Sequence, residues 1–129
     1  CLIILFISKF SKFKICSIYH SLINLRNRQT FEKIIKTNLL EILGLQLYDK
    51  SITNQYFLNI LKLISKLINN EYTQYVMEYR IRVYNFLHNG TMDNIQYLCA
   101  QRKSTSISQT GELIYGIYET INQNNLLYN

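Results

Sequence analysis

Between Phe31 and Ile121 apolar side chains recur three and four positions apart, and strict apolar–polar alternation never persists beyond four residues. Only a period near 3.6 returns such residues to one face, so the pattern selects helices over strands. No proline occurs anywhere in the chain. Rigid turns and internal helix breakers are therefore missing, and Gly, Asn and Ser must make the connections. At 129 residues the chain can bury a core of ordinary domain size without disulfides. A content of 48% apolar against 17% charged residues excludes wholesale disorder. The expected fold is all-α, a single-domain bundle of five or six antiparallel helices joined by short turns.

The stripes give the expected elements. Residues 1–28 read as a basic, apolar front helix, residues 29–123 as the bundle, and residues 124–129 as a frayed tail. In the bundle, Thr30 is placed to cap a helix whose stripe is Phe31, Ile34, Ile35, Leu39, Ile42 and Leu43, stopping at Gly44. Asp49 or Ser51 opens the next, with Tyr56, Phe57, Ile60, Leu61, Ile64, Leu67 and Ile68 inward, Lys62 and Lys66 outward, and Asn69 at its end. A fourth runs from Glu71 to Leu87, with a Glu78–Arg82 pair on its surface. His88-Asn89-Gly90 closes it. Thr91 caps a helix to Arg102 with Ile95, Leu98 and Cys99 inward. Ser104 to Gly111 reads as a polar loop, and Thr110 as the cap of a last helix over 112–123. In that helix Leu113, Ile114, Ile117, Tyr118 and Ile121 point inward. Gly116 implies either a close helix contact or a weak helix.

Charge is distributed unevenly. Lys9, Lys12, Lys14, Arg26, Arg28, Lys33 and Lys36 face one acid, Glu32, in the first 36 residues. The remaining chain is balanced, so the whole net charge of +6 lies at the front. Cys1 to Ile7 are also apolar throughout, but too few for a membrane span before Lys9. Such a front can be the end of a longer membrane or signal segment. It can also lie in a membrane interface, Leu2, Phe6, Phe10 and Phe13 inserting while Lys9, Lys12 and Lys14 meet anionic headgroups or a partner. An alternative uses Arg26, Arg28, Lys33 and Lys36 on nucleic-acid phosphates. The abundance of Ile, Asn, Lys and Tyr is the bias that AT-rich coding sequence produces.

Motifs for chemistry are sparse. The four glycines stand apart at 44, 90, 111 and 116, so no phosphate-cradling loop forms. No nucleophile elbow surrounds any serine. The cysteines at 1, 16 and 99, with His20 and His88, match no zinc spacing, and their odd number fits a reducing, intracellular setting better than a disulfide framework. Cys99 is expected to be a buried thiol, His20 a core or interface histidine, and His88 a C-terminal cap. Asn89-Gly90-Thr91 matches a glycosylation sequon, and Arg102 to Ser106 places two bases before three hydroxyls. Arg80 and Arg82 with Tyr79 and Tyr84 suggest a second interface spot. The sequence therefore points to a non-enzymatic helical interaction or structural protein. It implies no cofactor, metal or small-molecule substrate. A protein is the foremost partner, with a membrane surface or a nucleic acid as the others.

Overall fold

The computed structural model describes residues 19–21 and 27–123. The expected front helix before Asn27, apart from Tyr19 to Ser21, and the expected tail lie outside the described residues. Among the described residues the chain is helical and contains no strand. The helices are α1 (Arg28–Ile35), α2 (Leu39–Gln46), α3 (Asn54–Ile68), α4 (Glu71–Tyr75), α5 (Met77–Leu87), α6 (Thr91–Arg102) and α7 (Thr105–Gln123).

The described residues thus hold seven helices where five were expected, because two expected long helices are broken. The first breaks after Ile35. The Thr37 hydroxyl donates to the Ile34 carbonyl at 2.6 Å and accepts from the Leu39 N–H at 3.3 Å, replacing ladder bonds with side-chain bonds. Arg82 then donates to the Thr37 carbonyl at 3.0 Å and to Glu41 at 2.7 Å. The second breaks at Val76, which is extended at φ −106°, ψ 113°, a conformation that suits a β-branched side chain. Arg80 donates to the Gln74 carbonyl at 2.6 Å, spanning the break. The Glu78–Arg82 pair is not made. Arg82 takes Glu41 from α2, and Glu78 lies 3.7 Å from Lys36.

The caps also differ from expectation. Asn27, not Thr30, caps α1 by accepting the Thr30 N–H at 3.0 Å. Gly44 does not end α2. It sits inside the helix, where a Cβ would lie 3.4 Å from the Phe86 ring. Thr53 caps α3 through the Tyr56 N–H, while Asp49 instead closes the turn onto Ser51. Asn69 ends α3 as expected. Asn89 (φ 58°) and Gly90 (φ 97°) make the left-handed turn between α5 and α6, so Gly90 rather than Thr91 is the cap. The largest difference is the expected loop from Ser104 to Gly111, most of which, from Thr105 onward, is the first part of α7.

α3 is the central helix. Phe57, Ile60, Leu61, Leu63, Ile64 and Leu67 are fully buried, and burial of each such side chain contributes about 1.5–3 kcal/mol. Lys62 is exposed and Lys66 half-buried. Arg102, at the end of α6, bonds to the Ile52 carbonyl beside the start of α3. Ile68, at the end of α3, lies in one groove with Ile117 and Ile121 of α7. α3 and α7 therefore run in the same direction. α5 opposes α7: Tyr84 bonds to Asn122 and His88 to Tyr118. α6 also opposes α7, with Cys99 against Gly111. Phe31 of α1 closes the core against Tyr72 and Tyr79, at ring centroid distances of 5.7 and 5.6 Å.

Candidate interaction groove

Because α4 is short and the chain kinks at Val76, the end of α3 is left open beside α7. A groove of about 750 Å³ forms there, lined by Ile68, Thr73, Tyr75, Leu113, Ile117 and Ile121 among others. Arg80 and Glu112 add one charge of each sign to the lining. Tyr75 is 80% exposed and Leu113 51% exposed. The sequence pattern placed Leu113 inward, yet it stands on the rim, because the buried line of α7 is Ile107, Gly111, Ile114 and Ile121. Gly116 forms part of the groove, and a Cβ added there would meet nothing within 4 Å. Of the two expectations for Gly116, the close helix contact is absent.

A smaller groove of about 390 Å³ lies between α2, α5 and α6, beside exposed Leu45 and Tyr48. The larger groove offers more apolar wall and an open glycine, so it is the stronger candidate site. Neither adjoins a reactive constellation. Cys99 is buried against α7, and burial pushes its thiol up to about 11. An acid whose pKa is higher when folded keeps its proton longer there, while the unfolded chain releases it first. Stability should therefore fall as the pH rises from about 9 towards about 11. Denaturation midpoints across that range should decline more in the natural chain than in Cys99→Ala. Equal declines would show that Cys99 is not desolvated.

His88 is the C-cap residue of α5, but its ring is engaged elsewhere. It stacks on Tyr84 at 4.7 Å, and Nδ1 lies 3.0 Å from the Tyr118 hydroxyl. The Arg–Tyr cluster on the fourth expected helix does not share one surface. Tyr79 is buried, and Arg80 and Arg82 bind backbone carbonyls. His20 is half-buried on α3, with Nε2 3.4 Å from the Asn59 carbonyl. Burial, then Lys66, lowers its pKa. Among the described residues no group of three or more His, Cys, Asp or Glu is placed to hold a metal, and no helix is long and apolar enough to cross a membrane.

Of the candidate contact residues named from sequence, Leu2, Phe6, Lys9, Phe10, Lys12, Phe13, Lys14 and Arg26 lie outside the described residues. Arg28 and Lys33 are exposed on α1. Lys36 is paired with Glu32 at 2.7 Å, and Glu78 lies 3.7 Å away. Its hydrogen bond to Glu32 raises the Lys36 pKa and lowers that of Glu32. The groove itself was not legible beforehand, since only the kink at Val76 and the placement of α7 create it. Compared with known proteins, the chain matches no family model, no curated protein and no solved structure.

Proposed function

We propose that this chain is a non-enzymatic helical interaction protein whose α3–α4–α7 groove receives a short apolar segment of a protein partner. The observation that carries this reading is the groove itself: about 750 Å³ of largely apolar wall, with Tyr75 and Leu113 exposed at its rim. Exposed apolar surface gathered in a concavity marks interaction sites more than scattered exposed residues do. Tyrosine is also favoured where binding energy concentrates. The front segment supplies a second contact, with a membrane surface, through the apolar run Cys1 to Ile7 and the lysines that follow.

The groove is tested by filling it. Gly116 has room for a side chain, so Gly116→Phe should plug the groove while leaving the helical circular dichroism unchanged. Peptides selected by the natural chain from a displayed library should lose at least tenfold in affinity towards Gly116→Phe. Selected peptides that bind both proteins equally would contradict the groove. For the front segment, binding to anionic vesicles should persist in part at high salt, because apolar insertion is not screened, and Phe6→Asp should abolish it. Binding to oligonucleotides that falls linearly in log–log salt, with no vesicle binding, would instead support phosphate contact by Arg26, Arg28, Lys33 and Lys36.

A further inference from the structure

We propose that Asn89 is a self-modification site, where the Gly90 backbone nitrogen closes a ring on the Asn89 side chain and converts it to aspartate and isoaspartate. The chemistry lies in the pair itself. An asparagine side-chain carbonyl stands within reach of the backbone nitrogen of the next residue. Ring closure forms a bond from the Gly90 nitrogen to Asn89 Cγ and breaks the bond from Cγ to Nδ2. The Gly90 amide proton departs with that nitrogen, which leaves as ammonia. Water then opens the cyclic imide at either of its carbonyls. One opening gives aspartate. The other routes the main chain through the side chain and gives isoaspartate. Water is the sole co-reactant, and no electrons are exchanged. Asn89 alone in the chain precedes a glycine.

The structure sets this asparagine apart from others. Asn59, Asn85, Asn94 and Asn122 lie inside helices, where the ladder holds the next N–H and fixes the backbone. At Asn27 and Asn70 the Oδ1 accepts the N–H of Thr30 and of Tyr72, and at Asn69 it accepts from the Gln74 amide, so each of those carbonyls is held. Asn89 and Gly90 instead make the turn between α5 and α6, and both are exposed. Their φ angles of 58° and 97° lie outside the helical range. A Cβ built at Gly90 would meet nothing within 4 Å, so no neighbouring element obstructs ring closure. Gly90 has no Cβ of its own to crowd the attacking nitrogen, and its backbone rotates readily. The new carboxylate takes one unit from the net charge of +6. It adjoins Thr91, which lines the smaller groove with Asn94 and Ile95. Isoaspartate also adds a methylene to the backbone of the turn. The larger groove plays no part in this chemistry.

The test incubates the folded full chain at mildly alkaline pH, digests it with trypsin in the cold and reads amide loss by mass. The peptide from Val83 to Arg102 carries Asn85, Asn89 and Asn94, so fragment masses compare a turn asparagine with two helical ones in one molecule. Amide loss at Asn89 should run about tenfold faster, or more, than at either neighbour. The products should divide into a form that an aspartate-specific endoprotease cuts at position 89 and an isoaspartate form that it does not cut. Gly90→Ala should slow the loss about tenfold by placing a Cβ beside the attacking nitrogen, and Asn89→Gly should remove it while leaving the helical circular dichroism unchanged. Three results would overturn the proposal. Loss at Asn89 could be no faster than at Asn85 and Asn94 in the folded chain, yet faster in urea, which would mean that the turn holds the pair shut. The product could be aspartate alone, which would mean direct hydrolysis without a ring. Gly90→Ala could lose the amide at the natural rate. The first two readouts need no substitution, so they decide the matter whatever Gly90→Ala does to the turn.

Discussion

Phe57→Ala is expected to lower stability by about 3–5 kcal/mol, the cost of deleting a fully buried aromatic ring and leaving a cavity. Phe57 is completely buried in α3, and its ring does more than fill space. The Arg102 guanidinium lies 4.7 Å from its centroid, while the same group donates to the Ile52 carbonyl at 2.5 Å and the Asp49 carbonyl at 3.0 Å. The ring is thus a platform for the residue that ties the end of α6 to the turn before α3. Arg102→Ala should cost about 2 kcal/mol, through the lost charged hydrogen bonds to the Ile52 and Asp49 carbonyls. The two losses should not add. A coupling of about 0.5–1 kcal/mol is expected from the cation–π contact, read from urea denaturation of both single variants and the double variant. Strict additivity would mean that Arg102 does not sit on the ring.

Two glycines of α7 should respond in opposite directions. At Gly111 an added Cβ would lie 3.0 Å from the Cys99 sulfur, and the position is buried. Gly111→Leu must push α6 away from α7 and should cost about 2–3 kcal/mol, in the range of overpacked cores. At Gly116 an added Cβ meets nothing, so Gly116→Ala should stabilise the helix by up to about 1 kcal/mol through lower unfolded-state entropy and better helix propensity. Thermal denaturation of both variants decides the matter. Destabilisation by Gly116→Ala, or tolerance of Gly111→Leu, would place the α6–α7 contact on the wrong face.

This contrast shows where sequence reasoning succeeds and where it stops. Most of the α3 stripe was legible, from Tyr56 to Ile68, because these apolar residues lie on one helical period and Asn69 ends the helix, but fully buried Leu63 was not read as part of it. The start of α7 was not. Serines and threonines dominate Ser104 to Thr110, and they mask the seven-residue spacing of Ile107, Ile114 and Ile121. Gly111 continues that buried line, but a glycine carries no apolar signal. The breaks at Thr37 and Val76 were hidden for a different reason. A continuous stripe passes through both, and the backbone turns there through the Thr37 hydroxyl bonds, the extended Val76 and the bonds from Arg82 and Arg80 across the chain, none of which the stripe reveals. The groove inherits this hidden origin, since it exists where the second break leaves α3 uncovered. Leu113, read as core, is one of its rim residues. The basic front, by contrast, is fully legible as composition, but its contact residues fall mostly outside the described structure.

The most direct test of the account follows the methyl signals of the full chain while a peptide selected for binding is added. Shifts concentrated at Leu113, Ile117 and Ile121, and lost in Gly116→Phe, are what the groove requires. Shifts centred on Leu45, Ile95 and Leu98, at the smaller groove between α2, α5 and α6, would contradict it.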